Sequence, residues 1–589
     1  MKSSRGVLAK QSGDGRKFLK ERRVFMNALV LAILCYAAFV LAYNTYGKFV
    51  GHKLFELGTS KKATPAHTME DGVDYVPTKK SILFGHHYTS IAGTGPIVGP
   101  AIGVIWGWVP AVIWVVLGSI FMGAVHDFGS LVISERNEGK SMGEVTKDIV
   151  GPTSKNLFLA VIFFLLLIVI AIFAMIIGKL FIMYPAAVFP VWMEIPIAMA
   201  LGYLVYKKGK KVGPLSIVAI ILMYVTIWMG ARFFNGASPE TIMGMPAIMF
   251  WLSVLFVYAF IASVMPVQRL LQPRDYMNSH ELLIAMGLLI LGLVFVRPEI
   301  VAPAVRTNVP GAPGSMVPLL FITIACGAIS GFHSLVSSGT SSKQLDKEED
   351  AMFIGYGSML LEGALAILVI VACTAGLGDS AAWTARYADW ASASGLGAKL
   401  GAFIDGGASF LTGLGLSVAF ARTILAVFVV SFAATTLDTA TRIQRYVVAE
   451  IATDMKIKPL QGKYGATAFA VLSALALAMA RDGGAGAMIL WPLFGASNQL
   501  LAALSLMVIT VYLAKRDKPV IYTGIPMVFM MVMTGWGMIN NLIAYYNSAN
   551  YLLLIIGVII LVLEVWMIIE SYKAVKYYRD NKVTKKQEA

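Results

Sequence analysis

The sequence predicts an all-α, polytopic integral membrane protein with discontinuous helices and an inverted-repeat core. Three observations lead there. The 589 residues are 58% hydrophobic and only 14% charged, with a mean hydropathy of +0.73. Runs such as "VFMNALVLAILCYAAFVLAY" (24–43) and "LFLAVIFFLLLIVIAIFAMIIG" (157–178) are long enough to cross a hydrocarbon core, and similar runs recur to the end of the chain. Finally, "GHHYTSIAGTGPIVGP" (85–100) places helix breakers and histidines where hydropathy calls for a span.

In chain order, apolar segments fall near 24–46, 82–105, 108–134, 156–184, 186–206, 212–234, 244–266, 281–298, 316–342, 353–376, 418–450, 465–480, 486–513, 522–546 and 551–575, about fifteen in all. Segment 400–416 is short and glycine-rich, and reads as re-entrant or interfacial. The organisation that follows is a basic tail (1–23), an N-terminal span and loop (24–81), a core (82–515), C-terminal helices (516–577) and a second basic tail (578–589). The first run is too long for a signal peptide and no small-x-small cleavage site follows it.

The formal net charge of +15 does not point to nucleic acid. Lys and Arg gather in tails and short loops, "KKGKK" (207–211) and "KAVKYYRDNKVTKK" (573–586) among them, as topology anchors beside anionic lipid. Counting back from a cytoplasmic C-terminus puts the loops at 514–519, 441–464, 343–352, 267–280, 207–212 and 135–155 inside. The scheme then puts residues 1–23 outside, although they carry eight Lys or Arg. Cys35, Cys326 and Cys373 each lie in an apolar run and offer neither a disulfide framework nor metal-ligand spacing.

The stretch at 85–100 supplies the central expectation. Pro96 and Pro100 lack an N–H, and in a continuous helix would leave the carbonyls of Ala92 and Pro96 unpaired. Gly93, Gly95 and Gly99 let the backbone unwind. Two half-helices should result, whose N-termini attract anions and whose free carbonyls attract cations. Kinked packing helices are the commoner use of a lone Gly or Pro. A stretch with this many breakers and two histidines favours a site at membrane depth. "GHHYTSIAGTG" (85–95) aligns without gaps on "GFHSLVSSGTS" (331–341), matching Gly85/Gly331, His87/His333, Gly93/Gly339 and Thr94/Thr340. The two stretches lie an odd number of spans apart and so run in opposite directions, as an inverted repeat requires.

Candidate binding residues are His86, His87, Ser90, Ala92, Gly93, Thr94, Gly95, His333, Ser337 and Ser338. His333, Ser337, Thr340 and Ser341 share one helical face, with helix-to-helix packing as the ordinary alternative. Proton-coupling candidates are His87, Asp127, His333, Glu362 and Asp438, titratable groups inside apolar segments. His126 lies beside Asp127, and Glu194 and Glu564 also fall in apolar runs. Asp438 and Arg442 stand i,i+4 and are able to pair. His52, His67 and His280 fall in loops or at helix ends.

The stretches "DYVPTKKSILFGHHYTSIAGTGPIVGPAIG" (74–103), "HDFGSLVISERNEGKSMGE" (126–144), "QPRDYMNS" (272–279), "GFHSLVSSGTSSKQL" (331–345), "TTLDTATRIQRY" (435–446) and "LWPLFGASNQLLAA" (490–503) resemble the carbon starvation protein A (CstA) family. The resemblance runs from about residue 65 to 515. It implies a bacterial inner-membrane uptake system of the amino acid–polyamine–organocation type, with a leucine-transporter-like core, linked to nutrient limitation. Family members are described as importing peptides or pyruvate, the latter with protons. The family's glycine–histidine stretch falls on Gly85, His86, His87, Gly93, Gly95 and Pro96. The chain departs from longer members in showing one early span where two are expected. The expected partners are a small-molecule substrate, a co-transported cation (a proton, with sodium as the alternative) and membrane lipid, with no nucleic acid, no cofactor and no metal.

Other classes fit less well. An intramembrane metalloenzyme lacks H-E-x-x-H and a third ligand at helical spacing from His86 and His87. Adjacent histidines on a helix also point about 100° apart. A self-contained nutrient sensor would need a soluble signalling domain, and the tails are short.

Overall fold

The computed structural model describes residues 26–59, 62–479 and 490–587, with side chains at 394, 396, 574, 575 and 577–587 left out of the description. The basic stretch at 1–23 lies outside the described residues. Among the described residues, twelve helices are long and apolar enough to cross a membrane: α1 (Ala28–Leu54), α4 (Trp108–Arg136), α6 (Pro152–Met183), α7 (Pro185–Lys207), α8 (Val212–Phe233), α9 (Ala247–Val264), α10 (Leu271–Val296), α13 (Glu348–Ala375), α15 (Val418–Asp454), α17 (Trp491–Lys515), α18 (Ile521–Asn547) and α19 (Tyr551–Lys573), with the short α5 (Met142–Ile149) between α4 and α6. A bent pair, α2 (Lys80–Ile91) and α3 (Gly95–Trp106), makes thirteen. The other two segments counted in the sequence are shorter. One is the pair α11 (Met316–Thr323) and α12 (Gly331–Gly339), and the other is α16 (Lys463–Met479).

Burial sorts these helices into a centre and a rim. Helices α6, α13, α15 and α17 are mostly buried, and α6 packs along α15. The rim helices α1, α8, α18 and α19 turn Leu34, Ile217, Val532 and Ile555 outwards, as lipid-facing surfaces do. Two predicted loops are helical. Helix α10 begins at Leu271, so most of 267–280 is helix, and α15 runs to Asp454, well into 441–464. Segment 400–416 falls largely in α14 (Leu396–Thr412), a helix packed on α3, α10, α13 and α15 through buried Phe403, Ile404 and Phe410.

The break at 85–100 is real but narrower than the sequence implied. The chain leaves helix only over Ala92–Thr94, with a 44° bend. Pro96 sits in the first turn of α3, where a missing N–H costs nothing. Gly99 and Pro100 do not break the helix: both lie inside α3. Gly99 has a different job. A Cβ there would stand 2.6 Å from the Thr323 carbonyl oxygen and 3.2 Å from Ile324 Cα.

That contact is one of a series. A Cβ at Gly95 would strike Cys326, one at Gly99 would meet Thr323, and one at Gly103 would meet Ile324 and Leu320. Residue numbers rise along α3 while the partners' numbers fall. At the other end, His86 meets Thr340 and His87 meets Ser341. The segments 80–106 and 316–343 therefore run antiparallel and in contact, as an inverted repeat requires. The gapless alignment is corrected, however. It set Gly93 on Gly339, whereas the second segment is non-helical over 324–330, between α11 and α12, with Gly327 at φ 87°. Gly99→Ala is expected to push the two segments apart, costing about 1–3 kcal/mol of stability. A thermal melt of the purified protein checks this.

Candidate functional site

Backbone groups freed at the second break are taken up by side chains. Trp114 Nε1 donates to the Ile324 carbonyl at 2.8 Å, and Ser119 Oγ donates to that of Gly327 at 2.8 Å. The Gln499 amide donates to the Phe321 carbonyl. Glu362 Oε1 accepts from the Gly327 N–H at 3.0 Å, and Asn498 Oδ1 accepts from the Phe332 N–H at 2.8 Å. This is the satisfaction that irregular backbone at membrane depth demands. None of Trp114, Ser119 or Asn498 was singled out in the sequence, since a single amide or hydroxyl in an apolar run carries no signal.

The first break is less fully paired. Ser90 Oγ lies 3.2 Å from Thr439 Oγ1, and Gly93 is pressed against Thr436 on α15. The buried Thr94 hydroxyl has no hydrogen-bond partner among the described residues. On α2, His86 Nδ1 is 2.5 Å from Asp275 Oδ2 and its Nε2 is 3.1 Å from Thr340 Oγ1. His87 Nδ1 is 2.8 Å from Ser341 Oγ, while its Nε2 has no partner among the described residues. Thr340 and Ser341 lie beyond the end of α12, so the predicted single face with His333 and Ser337 is split. Ser337 Oγ is buried without a partner among the described residues, and Ser338 Oγ donates to the Ser334 carbonyl at 2.7 Å.

Asp127, His333 and Glu362 come together in one buried row. Asp127 Oδ1 is 2.7 Å from His126 Nδ1, and its Oδ2 is 2.9 Å from His333 Nδ1. His333 Nε2 lies 3.2 Å from Glu362 Oε2. All four side chains are fully buried. An ionised Asp127 only accepts, so both imidazoles carry a proton on Nδ1. The His333 Nε2 and Glu362 Oε2 atoms are close enough for an ion pair, although neither makes a hydrogen bond among the described residues. The row joins α4, α12 and α13, and ends on the N–H of Gly327 at the second break.

Asp438 belongs to a second buried cluster. It does not pair with Arg442. Arg274 Nη1 donates to Asp438 Oδ2 at 2.7 Å and to the Tyr258 hydroxyl at 2.6 Å, and Tyr258 donates to Asp438 Oδ2 at 2.7 Å. Arg274 Nε reaches Glu194 at 3.4 Å, and Ser431 donates to the same carboxylate. Glu281, also buried, has no partner for either oxygen among the described residues. Arg274 and Asp275 escape notice in the sequence because 267–280 reads as a polar loop, and Glu281 because it stands at the very start of the apolar segment 281–298. The Arg-Asp pair inside "QPRDYMNS" was the available signal. Glu564 lies apart, on α19.

Arg442 instead forms a latch. It donates to Asp74 in the segment before α2, and the Tyr446 hydroxyl donates to the same Asp74 oxygen at 2.6 Å. Burial alone would raise the Asp74 carboxyl. The Arg442 guanidinium overrides it and holds the group at about 2. A carboxyl depressed below its ordinary value contributes stability above that value and loses it as pH falls through the folded one. The latch therefore stays closed at all physiological pH. Asp74→Asn is expected to lower the melting temperature at pH 7, and to leave the shape of an uptake-versus-pH profile between about pH 5 and 8 unchanged.

A cavity of about 450 Å³ reaches both broken segments. Its walls include Gly95 at the start of α3, Ala325 and Cys326 at the second break, the rings of Trp390, Trp491, Phe494 and Tyr545, and the amides of Asn541 and Asn550. Lys399 of α14 also lines it. Burial pushes the Lys399 ammonium down to about 7. Of the predicted binding residues, Gly95 lines this cavity. Ser338 lines a smaller one of about 150 Å³ with Lys140, Lys343 and Glu450. His86, His87, Ser90, Ala92, Gly93, Thr94, His333 and Ser337 line neither. Among the described residues no three His, Cys, Asp or Glu side chains are placed to hold a metal ion.

The profile of the family described as Carbon starvation protein CstA matches residues 27–386 and 379–537. The "Peptide transporter CstA" of Campylobacter jejuni is 34% identical, over 92% of this chain and 82% of its own. The "Pyruvate/proton symporter BtsT" of Escherichia coli is 32% identical, over 87% and 81%. Among solved structures, a manganese transporter from Eremococcus coleocola superposes with a TM-score of 0.50 at 10% identity, over 87% of this chain and 99% of that one. That last likeness speaks to the fold alone.

Proposed function

The chain belongs to the carbon starvation protein CstA family, and from that premise we propose that it imports pyruvate or a related small carboxylate, coupled to protons. The setting of this reading is the bacterial inner membrane under nutrient limitation, with residues 82–515 as the transport core and the C-terminus in the cytoplasm. One observation carries it: a cavity of ligand size touches both broken segments, and a buried His–carboxylate row ends on the backbone of one of them. Pockets of about 300–1,000 Å³ are typical of small-molecule sites.

The energetics require protonatable groups. Each charge moved across 100 mV is worth about 2.3 kcal/mol. An inside-negative potential expels a monoanion. One proton carried with it makes the cycle electroneutral, and a second lets the potential drive uptake. His87, Asp127, His333, Glu362 and Asp438 are the groups proposed to carry protons, with His333 and Glu362 the best placed. Sodium is the alternative cation, served by the hydroxyls of Ser90, Thr436 and Thr439 beside the first break. The peptide reading is favoured by relatives that are named as peptide transporters. Uptake of labelled pyruvate against labelled dipeptide into proteoliposomes, with proton or sodium gradients imposed separately, tests all of these. Pyruvate accumulation that needs the proton gradient supports the reading, and dipeptide accumulation alone overturns its substrate.

A further inference from the structure

We propose that Lys399 holds the carboxylate of the transported molecule in the cavity beside the two breaks, and that the cavity selects anions lacking an ammonium group. The inference deepens the transport reading and rests on it. Lys399 is the one charged side chain among the described residues lining this cavity. It is only 4% exposed, and its ammonium lies 5.2 Å from the centre of the Trp491 ring. No carboxylate pairs with it among the described residues. A buried cation with a ring beside it and no carboxylate partner among the described residues is costly, and cation–π attraction offsets a part of that cost. An arriving carboxylate removes it. Transport needs this kind of compensation, since the charge is satisfied only while cargo is present.

A second group points to the same ligand. Tyr545, 7% exposed, lines the cavity, and its buried hydroxyl has no hydrogen-bond partner among the described residues. It is free to donate to a carboxylate or keto oxygen. The apolar walls, Trp390, Trp491, Phe494, Leu319 and Ile322, suit a compact apolar body. No Asp or Glu lines the cavity among the described residues, so none of these offers a counter-charge to a peptide's ammonium. A 2-oxo acid or similar monocarboxylate matches this inventory, whereas a zwitterion leaves one end unpaired.

The test uses the full chain in proteoliposomes with a proton gradient. Wild type, Lys399→Gln and Lys399→Arg are compared for KM and maximal rate with labelled pyruvate. Pyruvamide, a neutral isostere, and dialanine serve as competitors. Loss of one charge-assisted bond is expected to raise KM ~10-fold or more in Lys399→Gln, with the maximal rate little changed. Lys399→Arg should stay within ~3-fold, since it restores the charge. Neither pyruvamide nor dialanine should compete. An unchanged KM in folded Lys399→Gln, or dialanine competing as well as pyruvate, overturns the proposal. Should Lys399→Gln fail to elute as a single species, protection of Lys399 by pyruvate from amidination with an acetimidate ester decides instead: protection supports the proposal and its absence refutes it. If wild type accumulates neither pyruvate nor dialanine, the transport reading falls as well. If wild type accumulates pyruvate and Lys399→Gln matches it, only the role of Lys399 falls.

Discussion

Replacing Arg274 with methionine is expected to abolish uptake and to cost about 3–5 kcal/mol of stability, the penalty for stranding a buried charge partner. Arg274 is 1% exposed, and its guanidinium serves Asp438 and Glu194 while sharing the Tyr258 hydroxyl. Asp275 and Glu281 lie on the same helix and are buried too. With the guanidinium gone, two carboxylates lose their cation in a site that water does not reach. They must then be protonated or the helices α7, α10 and α15 must separate. Removing charge on both sides should be milder. A double variant, Arg274→Met with Asp438→Asn, is expected to recover part of the stability, because the coupled pair is deleted together. Thermal melts of the single and double variants measure the difference. Equal losses in the two would show that Asp438 gains nothing from Arg274.

Glu362→Gln is the second large effect, and it separates coupling from binding. In the native row Glu362 Oε2 stands 3.2 Å from His333 Nε2, near enough to exchange a proton with it. A glutamine amide in its place holds no exchangeable acid proton. Accumulation driven by a proton gradient should fall ~100-fold, in the range expected when a proton-transfer group is removed. Exchange of external for preloaded labelled pyruvate needs no net proton movement and should persist within ~3-fold. Equal loss of both activities would instead mark Glu362 as a prop for the Gly327 N–H, which it also accepts at 3.0 Å.

The break at Ala92–Thr94 was legible because Gly93, Gly95 and Pro96 crowd into an apolar run beside His86 and His87. Its extent was not, since proline alone does not say whether it sits inside a helix or in a first turn. Pro96 and Pro100 turned out to differ in that respect. The second break was missed. Its residues 324–330, "IACGAIS", look like small-residue packing, and only the carbonyls taken up by Trp114 and Ser119 reveal it. Asp127, His333 and Glu362 each stand out in the sequence, since an ionisable group in a membrane helix is rarely idle, but nothing in the sequence brings them into one row. Partners were harder to read. Asp438 and Arg442 have the spacing to pair, yet each finds a better partner from a distant element, Arg274 and Asp74. Lys399 was unreadable for a similar reason: in the sequence it is one lysine in a glycine-rich connection, and only the fold buries it against Trp491.

The claim on which the rest depends is that cargo occupies the cavity where the two broken segments meet. Cys326 tests it without any substitution. It lines the cavity, whereas Cys35 and Cys373 are buried elsewhere, in α1 and α13. The purified protein is treated with a small charged thiol reagent with and without saturating substrate, and modified cysteines are identified by mass spectrometry. Modification of Cys326 that inactivates uptake, slowed by substrate while Cys35 and Cys373 stay unmodified, is the predicted result. A Cys326 that reacts at the same rate with and without saturating substrate would contradict it.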